Sequence, residues 1–153
     1  MWPAIFGATN VVALAGWIIL LALPRRPFAL AGVLYLGIGL LSLIYAVLLV
    51  LLATGSVDGL HDAGAAPFDL ANFSLSAIRS SFHSDGVVVL GWTHYLAFDL
   101  FVGLWIARDA DAKGFPRLAQ APVLIATFLA GPFGLLVWLA VRERRARVSG
   151  RWR

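Results

Sequence analysis

Long apolar stretches separated by short polar segments make up most of the chain. Four of these stretches are long enough to cross the hydrocarbon core of a bilayer, which requires about 20 apolar residues. They cover residues 3–23, 31–53, 87–107 and 118–141, and acidic, basic or histidine side chains occur only in the third. The pattern therefore predicts four transmembrane helices.

The segments between the apolar stretches differ in length, and the longest has a helical pattern of its own. Residues 24–27 form a tight Pro-Arg-Arg-Pro turn and residues 108–117 a short charged loop, whereas residues 54–86 form a long link. Apolar residues of this link recur at helical spacing, with polar residues on another face; they are Phe68, Ala71, Leu75, Ile78 and Phe82. The spacing predicts an amphipathic helix, Phe68–Phe82, at the membrane interface or over the mouth of the bundle. An irregular polar loop is the alternative.

Composition supports a membrane protein with one domain. Hydrophobic residues make up 61% of the 153 residues and charged residues 13%, whereas soluble domains carry roughly 25% charged residues. A soluble core of this size could not bury so much apolar surface. We therefore expect an all-α fold: an integral membrane four-helix bundle with an amphipathic interfacial helix between the second and third spans. In this interpretation residues 1–141 form a single transmembrane domain and residues 142–153 a basic C-terminal tail.

Basic residues are concentrated near the C-terminus. The formal net charge is +4, and six of the twelve basic residues follow Ala140. A basic segment directly after an apolar stretch holds a membrane protein at an anionic lipid surface. The expected partner is therefore the lipid bilayer and not a nucleic acid.

The charges give conflicting indications of the orientation of the protein in the membrane. With four spans both termini lie on one side, which carries seven basic residues against five on the other. The tail favours cytoplasmic termini, whereas Arg25 and Arg26 after the first span favour the opposite orientation. Eleven arginines against a single lysine, with abundant Ala, Leu and Gly, indicate a GC-rich bacterial genome. We therefore expect an integral protein of the bacterial cytoplasmic membrane with cytoplasmic termini.

The residue types that are missing exclude several kinds of chemistry. Without cysteine there is no disulfide, thiolate nucleophile, iron–sulfur cluster or zinc–cysteine site. Three histidines are too few for a membrane di-iron enzyme, and the chain has no glycine-rich dinucleotide or phosphate-binding motif. Asp58, His61 and Asp62 are interpreted as a flexible acidic loop rather than a metal site. We expect no cofactor and no metal, which leaves acid–base chemistry without redox steps.

Asp99 lies near the middle of the third predicted span, where a charge costs about 2.5–3.5 kcal/mol or more. With Gly103 and Ala107 it shares one face at four-residue spacing, a pattern of small residues that brings helices into close contact. The carboxyl group is therefore expected to point inward. It is either a structural hydrogen-bonding group or a catalytic one, and catalysis is favoured because an amide would bridge helices at a lower cost.

Two further residues of this span accompany Asp99. His94 lies five residues earlier, about 140° away around the helix, so the two side chains could flank a shared cavity without facing the same partner. Tyr95 and Asp99 lie one turn apart on a common face, so the phenol could donate a hydrogen bond to the carboxyl group. For His94, a structural hydrogen bond between helices is the simpler alternative.

Polar groups of the other spans reach a similar depth in an up-down bundle. Asn10 in the first span matches the depth of the histidine, and Ser42, Tyr45 and Pro132 lie at nearly the same level. Pro132 also leaves the Phe128 carbonyl without its usual helical donor. These groups predict one polar layer inside an apolar bundle.

A few more residues are candidates because of their position. Trp92 and Phe98, on either side of the histidine in sequence, are candidates for substrate binding, and Asp109, just beyond the third span, is a candidate for the cavity mouth. The other tryptophans near span ends are expected in an aromatic belt at the membrane interface; they are Trp2, Trp105 and Trp138.

The segment GWTHYLAFDLFVG, residues 91–103, is similar to the signature of a known family. It resembles the small membrane proteins of the abscisic-acid-deficient family, which are related to plant neoxanthin synthase and include many uncharacterised bacterial members. Asn10, Asp109 and the segment AGPFGLL, residues 130–136, are further matches. The resemblance covers nearly the whole chain.

The resemblance implies a role in xanthophyll metabolism, because the plant members are associated with converting violaxanthin, a 5,6-epoxide, into the allenic neoxanthin. In this isomerisation an acid protonates the epoxide oxygen and a base removes a proton from the neighbouring polyene carbon, without a cofactor. The implied function is isomerisation of a carotenoid or other isoprenoid lipid, with Asp99 and His94 as acid and base and Asn10 and Tyr95 orienting them. The alternatives are a non-catalytic pigment- or lipid-binding protein, a scaffold for a carotenoid-modifying complex, and a small transporter or proton relay.

Overall fold

The computed structural model describes residues 1–60, 71–72 and 74–149, with side chains as far as Glu143. These residues form six helices and no strand. The helices are α1 (Trp2–Ala22), α2 (Pro27–Ala53), α3 (Leu75–Ser81), α4 (Asp85–Ala112), α5 (Arg117–Leu129) and α6 (Gly131–Ser149). The expected all-α class is confirmed.

Three helices, α1, α2 and α4, are long and apolar enough to cross a membrane, as expected of a membrane protein. Pro3 lies in the first turn of α1 and Pro27 begins α2, positions where the missing N–H of proline is not needed. Within α2, residues Val33–Gly39 form wider π-helical turns. The longest helix, α4, has 28 residues and is about 42 Å long.

The middle of α4 packs against both α1 and α2 through small residues. Leu100 is fully buried, and a Cβ atom added to Gly16 of α1 would lie 2.6 Å from Leu100 Cδ2, while one added to Gly37 of α2 would lie 3.0 Å from it. Gly103 lies directly against the indole ring of Trp17. The predicted face of small residues is therefore a helix contact, because glycine lets two backbones approach closely.

The fourth apolar stretch is divided into two helices. Ala130 adopts a non-helical conformation (φ −156°, ψ 80°) between α5 and α6. Gly131 packs against Asp99 in the middle of α4, whereas Trp138 donates a hydrogen bond to Asp109 near the end of α4 (Nε1–Oδ2 3.0 Å). Helix α6 therefore runs in the same direction as α4.

Helix α5 runs in the opposite direction. Arg117, its first residue, donates hydrogen bonds to the carbonyls of Leu21 and Leu23 at the end of α1 (3.2 and 2.6 Å). Leu129, its last residue, lies beside Tyr95. Helices α5 and α6 thus form a hairpin that begins and ends at one end of the bundle and turns at the level of the middle of α4.

The predicted fourth span over residues 118–141, and with it the four-helix bundle, is not confirmed. Pro132 has no N–H for the helical ladder and would clash with the preceding turn inside a helix, but it is well tolerated in the first turn of α6. Gly134 packs against the backbone of Thr127, which lets the two arms of the hairpin approach closely. Apolar length alone does not distinguish a continuous span from such a hairpin.

The amphipathic helix is shorter than the one expected over Phe68–Phe82. Helix α3 covers Leu75–Ser81 and is capped by Ser74, whose Oγ accepts a hydrogen bond from the Ala77 N–H (3.2 Å). Ala71 and Asn72 are not helical, and residues 61–70 and 73 lie outside the described part of the chain. A long interfacial helix is therefore not confirmed, although Leu75 of the short helix is 76% exposed.

Asp109 attaches α6 to the end of α4. Its carboxylate pairs with Lys113 (Nζ–Oδ1 2.6 Å) and Arg142 (Nε–Oδ2 2.9 Å) and accepts the hydrogen bond from Trp138. The indole of Trp138 also packs edge-on against Phe115, with ring centroids 5.1 Å apart. Trp138, expected in the interfacial belt, is instead only 1% exposed.

Replacing Asp109 by asparagine is expected to loosen this end of the hairpin. The change leaves two cations without their countercharge, and loss of such hydrogen bonds costs about 1–3 kcal/mol. The measurement is thermal unfolding in detergent, with Asp85→Asn at the exposed start of the same helix as the matched control. Equal melting temperatures for the two variants would contradict the anchoring role.

A second anchor holds the α1–α2 turn at the same end. The Arg25 side chain, 6% exposed, pairs with Asp111 (2.8 Å) and donates to the Ala107 carbonyl (3.2 Å) and to Gln120. Gln120 is fully buried and donates in turn to Asp111 and to the Phe115 carbonyl (2.9 and 2.7 Å). This network ties the α1–α2 turn, α4 and α5 together.

Candidate functional site

Asp99 lies halfway along α4, roughly 20 Å from either end of the helix. It is 7% exposed, and its Oδ2 atom has no hydrogen-bond partner among the described residues. The backbone of Gly131 lies directly against the carboxyl group, so the first turn of α6 begins beside it. The positive end of the α6 dipole offsets part of the cost of burying a carboxylate in this position.

Tyr95 lies one turn before Asp99 and connects it to the tip of the hairpin. The hydroxyl group is close enough to the Asp99 carboxyl group to interact with it, and it donates a long hydrogen bond to the Leu129 carbonyl (3.4 Å). That carbonyl is available because α5 ends at Leu129. The sequence had pointed to the carbonyl of Phe128, one residue earlier, as the group freed by Pro132.

Asn10 and Trp92 extend this side of α4. The Trp92 indole donates a hydrogen bond to Asn10 Oδ1 (3.1 Å), and Asn10 Nδ2 donates to the Phe6 carbonyl (2.6 Å). The rings of Trp92 and Tyr95 are stacked with centroids 5.3 Å apart, and Phe6 lies 5.8 Å from Trp92. Trp92 therefore contacts both Asn10 and Tyr95.

His94 lies on another side of α4. Its ring stacks on Phe98, with centroids 4.6 Å apart, and lies 5.4 Å from the ring of Tyr45 on α2. His94 and Phe98 are exposed on the surface of the bundle, as is Ser42 one turn from Tyr45. The structure therefore divides the expected polar layer into two groups, and it does not bring His94 next to Asp99.

The remaining candidate residues lie at the hairpin. Pro132 follows Gly131 in the first turn of α6 and is exposed. Asp109 lies about 15 Å from Asp99 along α4, and its carboxylate is occupied by three donors. Its contacts are those of an anchor between α4 and α6.

Within the described ranges, no group of three His, Cys, Asp or Glu side chains is placed to hold a metal ion. Of the acidic loop considered above, His61 and Asp62 lie outside these ranges. The chemistry that the site offers is therefore that of a carboxyl group, a phenol and backbone carbonyls.

Two features of the site were not expected from sequence. The first is the contact of the Gly131 backbone with the Asp99 carboxyl group, and the second is the Leu129 carbonyl as acceptor for Tyr95. The pair Gly131-Pro132 carried a usable signal, since proline near the first position is typical of a helix start. If Gly131-Pro132 is interpreted as the start of a new helix, the sequence predicts a reversal of the chain beside Asp99.

Comparison with known families agrees with the resemblance seen in the sequence. The family described as ABA DEFICIENT 4-like matches residues 4–138, which include nearly all of the three long helices and the tip of the hairpin. Comparisons with curated proteins and with solved structures return no match. Because the family match covers well over half of the chain, the protein belongs to the ABA DEFICIENT 4-like family.

Proposed function

We propose that this membrane protein catalyses a cofactor-independent isomerisation of a carotenoid or another isoprenoid lipid, by opening an epoxide or shifting a double bond. The observation that carries the proposal is the buried Asp99 carboxyl group at half depth in the bundle, with one oxygen that has no hydrogen-bond partner among the residues that the structure describes. Membership of the family supports the substrate class, which is the one that the resemblance implies.

Tyr95 is the second member of the proposed site. Its hydroxyl group lies between the Asp99 carboxyl group and the Leu129 carbonyl, so it can pass a proton to or from the acid and hold the acid in position. His94, considered from sequence as the partner of Asp99, contacts the rings of Tyr45 and Phe98 instead. The geometry therefore favours Asp99 with Tyr95 as the pair that handles protons.

The surroundings of the site suit a ligand that arrives from lipid. Leu129 and Phe133, on either side of the hairpin tip, are 69% and 60% exposed. Because these apolar side chains lie at half depth, a carotenoid or isoprenoid could reach the tip through the membrane without crossing water. A polar group in the middle of such a ligand would then meet the carboxyl group.

The proposed isomerisation balances without a cofactor. The acid form of Asp99 gives its proton to the epoxide oxygen as the carbon–oxygen bond breaks. The neighbouring polyene carbon loses a proton as the new double bond forms, and this proton returns to the carboxylate directly or through Tyr95. The site ends in its starting state, and no electrons are gained or lost.

A non-catalytic pigment-binding function is the second candidate, and a row of aromatic rings favours it. Phe6, Trp92 and Tyr95 follow one another with centroid separations of 5.8 and 5.3 Å, and Trp92 is 38% exposed. Aromatic rings at such separations can bind a conjugated chain by stacking. This function would need no proton transfer.

Expression in hosts that accumulate different carotenoids distinguishes the two functions. If the protein is an isomerase, a host that makes an epoxy-carotenoid should gain a pigment of unchanged mass and altered retention, detected by liquid chromatography with mass spectrometry. Cells with the vector alone are the control. Purified protein that carries an unaltered pigment, with no new isomer in any host, would support the binding function and contradict catalysis.

A further inference from the structure

The two ends of the bundle differ in charge. At one end lie the α1–α2 turn, the α4–α5 loop and the outer part of α6, joined by the contacts of Arg25, Asp109 and Arg117; we call it the basic end. At the opposite end the Trp2 indole donates to the Asp58 carbonyl (3.2 Å), and α3 precedes α4.

The direction of α6 determines how many of the basic residues lie at the basic end. Because α6 runs parallel to α4, Arg142 lies at the basic end, and the backbone of α6 carries Arg144, Arg145 and Arg147 further in the same direction. Arg151 and Arg153 are outside the described part of the chain, which leaves ten of the twelve basic residues. Nine of these ten belong to the basic end, and the exception is Arg79 in α3.

Part of this charge is neutralised within the protein and part faces outward. The side chains of Arg25, Lys113 and Arg142 are 6%, 10% and 27% exposed and pair with aspartates. Arg26 and Arg108, by contrast, are exposed on the α1–α2 turn and at the end of α4. These two guanidinium groups lie near the ends of apolar helices that are long enough to cross a membrane.

We propose that the basic end docks on the anionic phospholipid headgroups of the cytoplasmic leaflet. Exposed basic groups at a membrane surface are attracted to anionic lipid, and Lys and Arg near span ends are enriched on the cytoplasmic side. The hairpin then enters the membrane from the cytoplasm and returns to it, while the N-terminus and α3 lie on the other side.

Single cysteines test this arrangement, and the absence of native cysteine makes the background clean. Ser56→Cys marks the opposite end, whereas Ala112→Cys and Ser149→Cys mark the basic end and the end of α6. A membrane-impermeant maleimide should label Ser56→Cys in spheroplasts and the other two only in inverted vesicles. Labelling of Ser149→Cys from the same side as Ser56→Cys would overturn the hairpin, and labelling of Ala112→Cys in spheroplasts would overturn the orientation.

Lipid dependence tests the docking partner. Protein in phosphatidylcholine vesicles is compared with protein in vesicles that also contain phosphatidylglycerol, by thermal unfolding. The anionic lipid should raise the melting temperature of the wild type and of the control Arg79→Gln, and this rise should be smaller in the double variant Arg26→Gln/Arg108→Gln. A rise of the same size in the double variant, or its loss in the control, would overturn the docking proposal.

Discussion

Asp99→Asn is expected to insert and fold normally but to lose turnover. The amide keeps the shape and hydrogen-bonding capacity of the side chain but cannot exchange the proton that the proposed isomerisation requires. A general acid or base contributes about 10²- to 10⁴-fold in rate, so product yield in a carotenoid-producing host should fall to near background. Pigment analysis of cells expressing equal amounts of both proteins is the measurement.

Two further variants show whether the loss belongs to the chemistry. Tyr95→Phe keeps the ring stacked on Trp92 but removes the hydroxyl group that lies between Asp99 and the Leu129 carbonyl, so a partial loss of turnover is expected. His94→Gln changes a residue that contacts Tyr45 and Phe98 away from the carboxyl group, and its turnover should stay closer to wild type. Full activity of Asp99→Asn on a substrate that wild type converts would rule out Asp99 as the acid. A loss in His94→Gln equal to that in Asp99→Asn would restore the pair expected from sequence.

Gly131→Ala is expected to be strongly destabilising, because the added Cβ atom would overlap the Asp99 carboxyl group at the tip of the hairpin. Neither residue can easily move, because Gly131 begins α6 and Asp99 lies in the middle of a packed helix. Forced overpacking of this kind costs about 1–3 kcal/mol, occasionally more. Thermal unfolding in detergent measures the loss.

Gly7→Ala is the matched control for this substitution. Gly7 lies inside α1, and a Cβ atom there would meet nothing within 4 Å. In a helix interior the change from glycine to alanine gains about 0.5–1 kcal/mol, so this variant should unfold at the same temperature as wild type or higher. If Gly131→Ala is as stable as Gly7→Ala, the tip of the hairpin does not press against Asp99.

A double variant identifies the colliding group. Asp99→Ala removes the carboxyl group that the new Cβ atom would meet, so Gly131→Ala should cost less in that background. Residues in direct contact show interaction energies of about 0.5–3 kcal/mol in such cycles. Additive losses would mean that the destabilisation comes from the backbone of the turn and not from Asp99.

Much of the candidate site could be foreseen because depth along a helix follows directly from residue number. Asn10 was expected at nearly the depth of His94, and it accepts a hydrogen bond from Trp92, two residues before the histidine. Tyr95 and Asp99 were expected on a common face, and they interact across one turn. Angular position was less decisive, since about 140° between His94 and Asp99 allows a shared cavity or two separate sides. The neighbouring rings of Tyr45 and Phe98 decide for separate sides.

The apolar pattern alone was enough to establish an α-helical membrane protein with an acid at half depth. Backbone groups inside a bilayer must be satisfied within their own segment, so long apolar stretches form helices whatever their neighbours. A carboxyl group amid such a stretch is costly, so its position could be read without knowing what surrounds it. Family membership could likewise be expected from the segment around Asp99.

The path of the last apolar stretch depended on tertiary structure. The length of an apolar stretch determines how much surface must avoid water. It does not determine the direction of the chain after an interruption of the helix such as the one at Ala130. That direction depends on long-range contacts: Gly131 against Asp99, Thr127 against Gly134, and Trp138 with Arg142 on Asp109. If α6 continued in the direction of α5, the C-terminal arginines would lie at the opposite end of the bundle. The four-span prediction divided the basic residues almost evenly between the two sides, whereas the hairpin places most of them at one end. The rule for orientation depends on the side on which the charges lie and not on their total number.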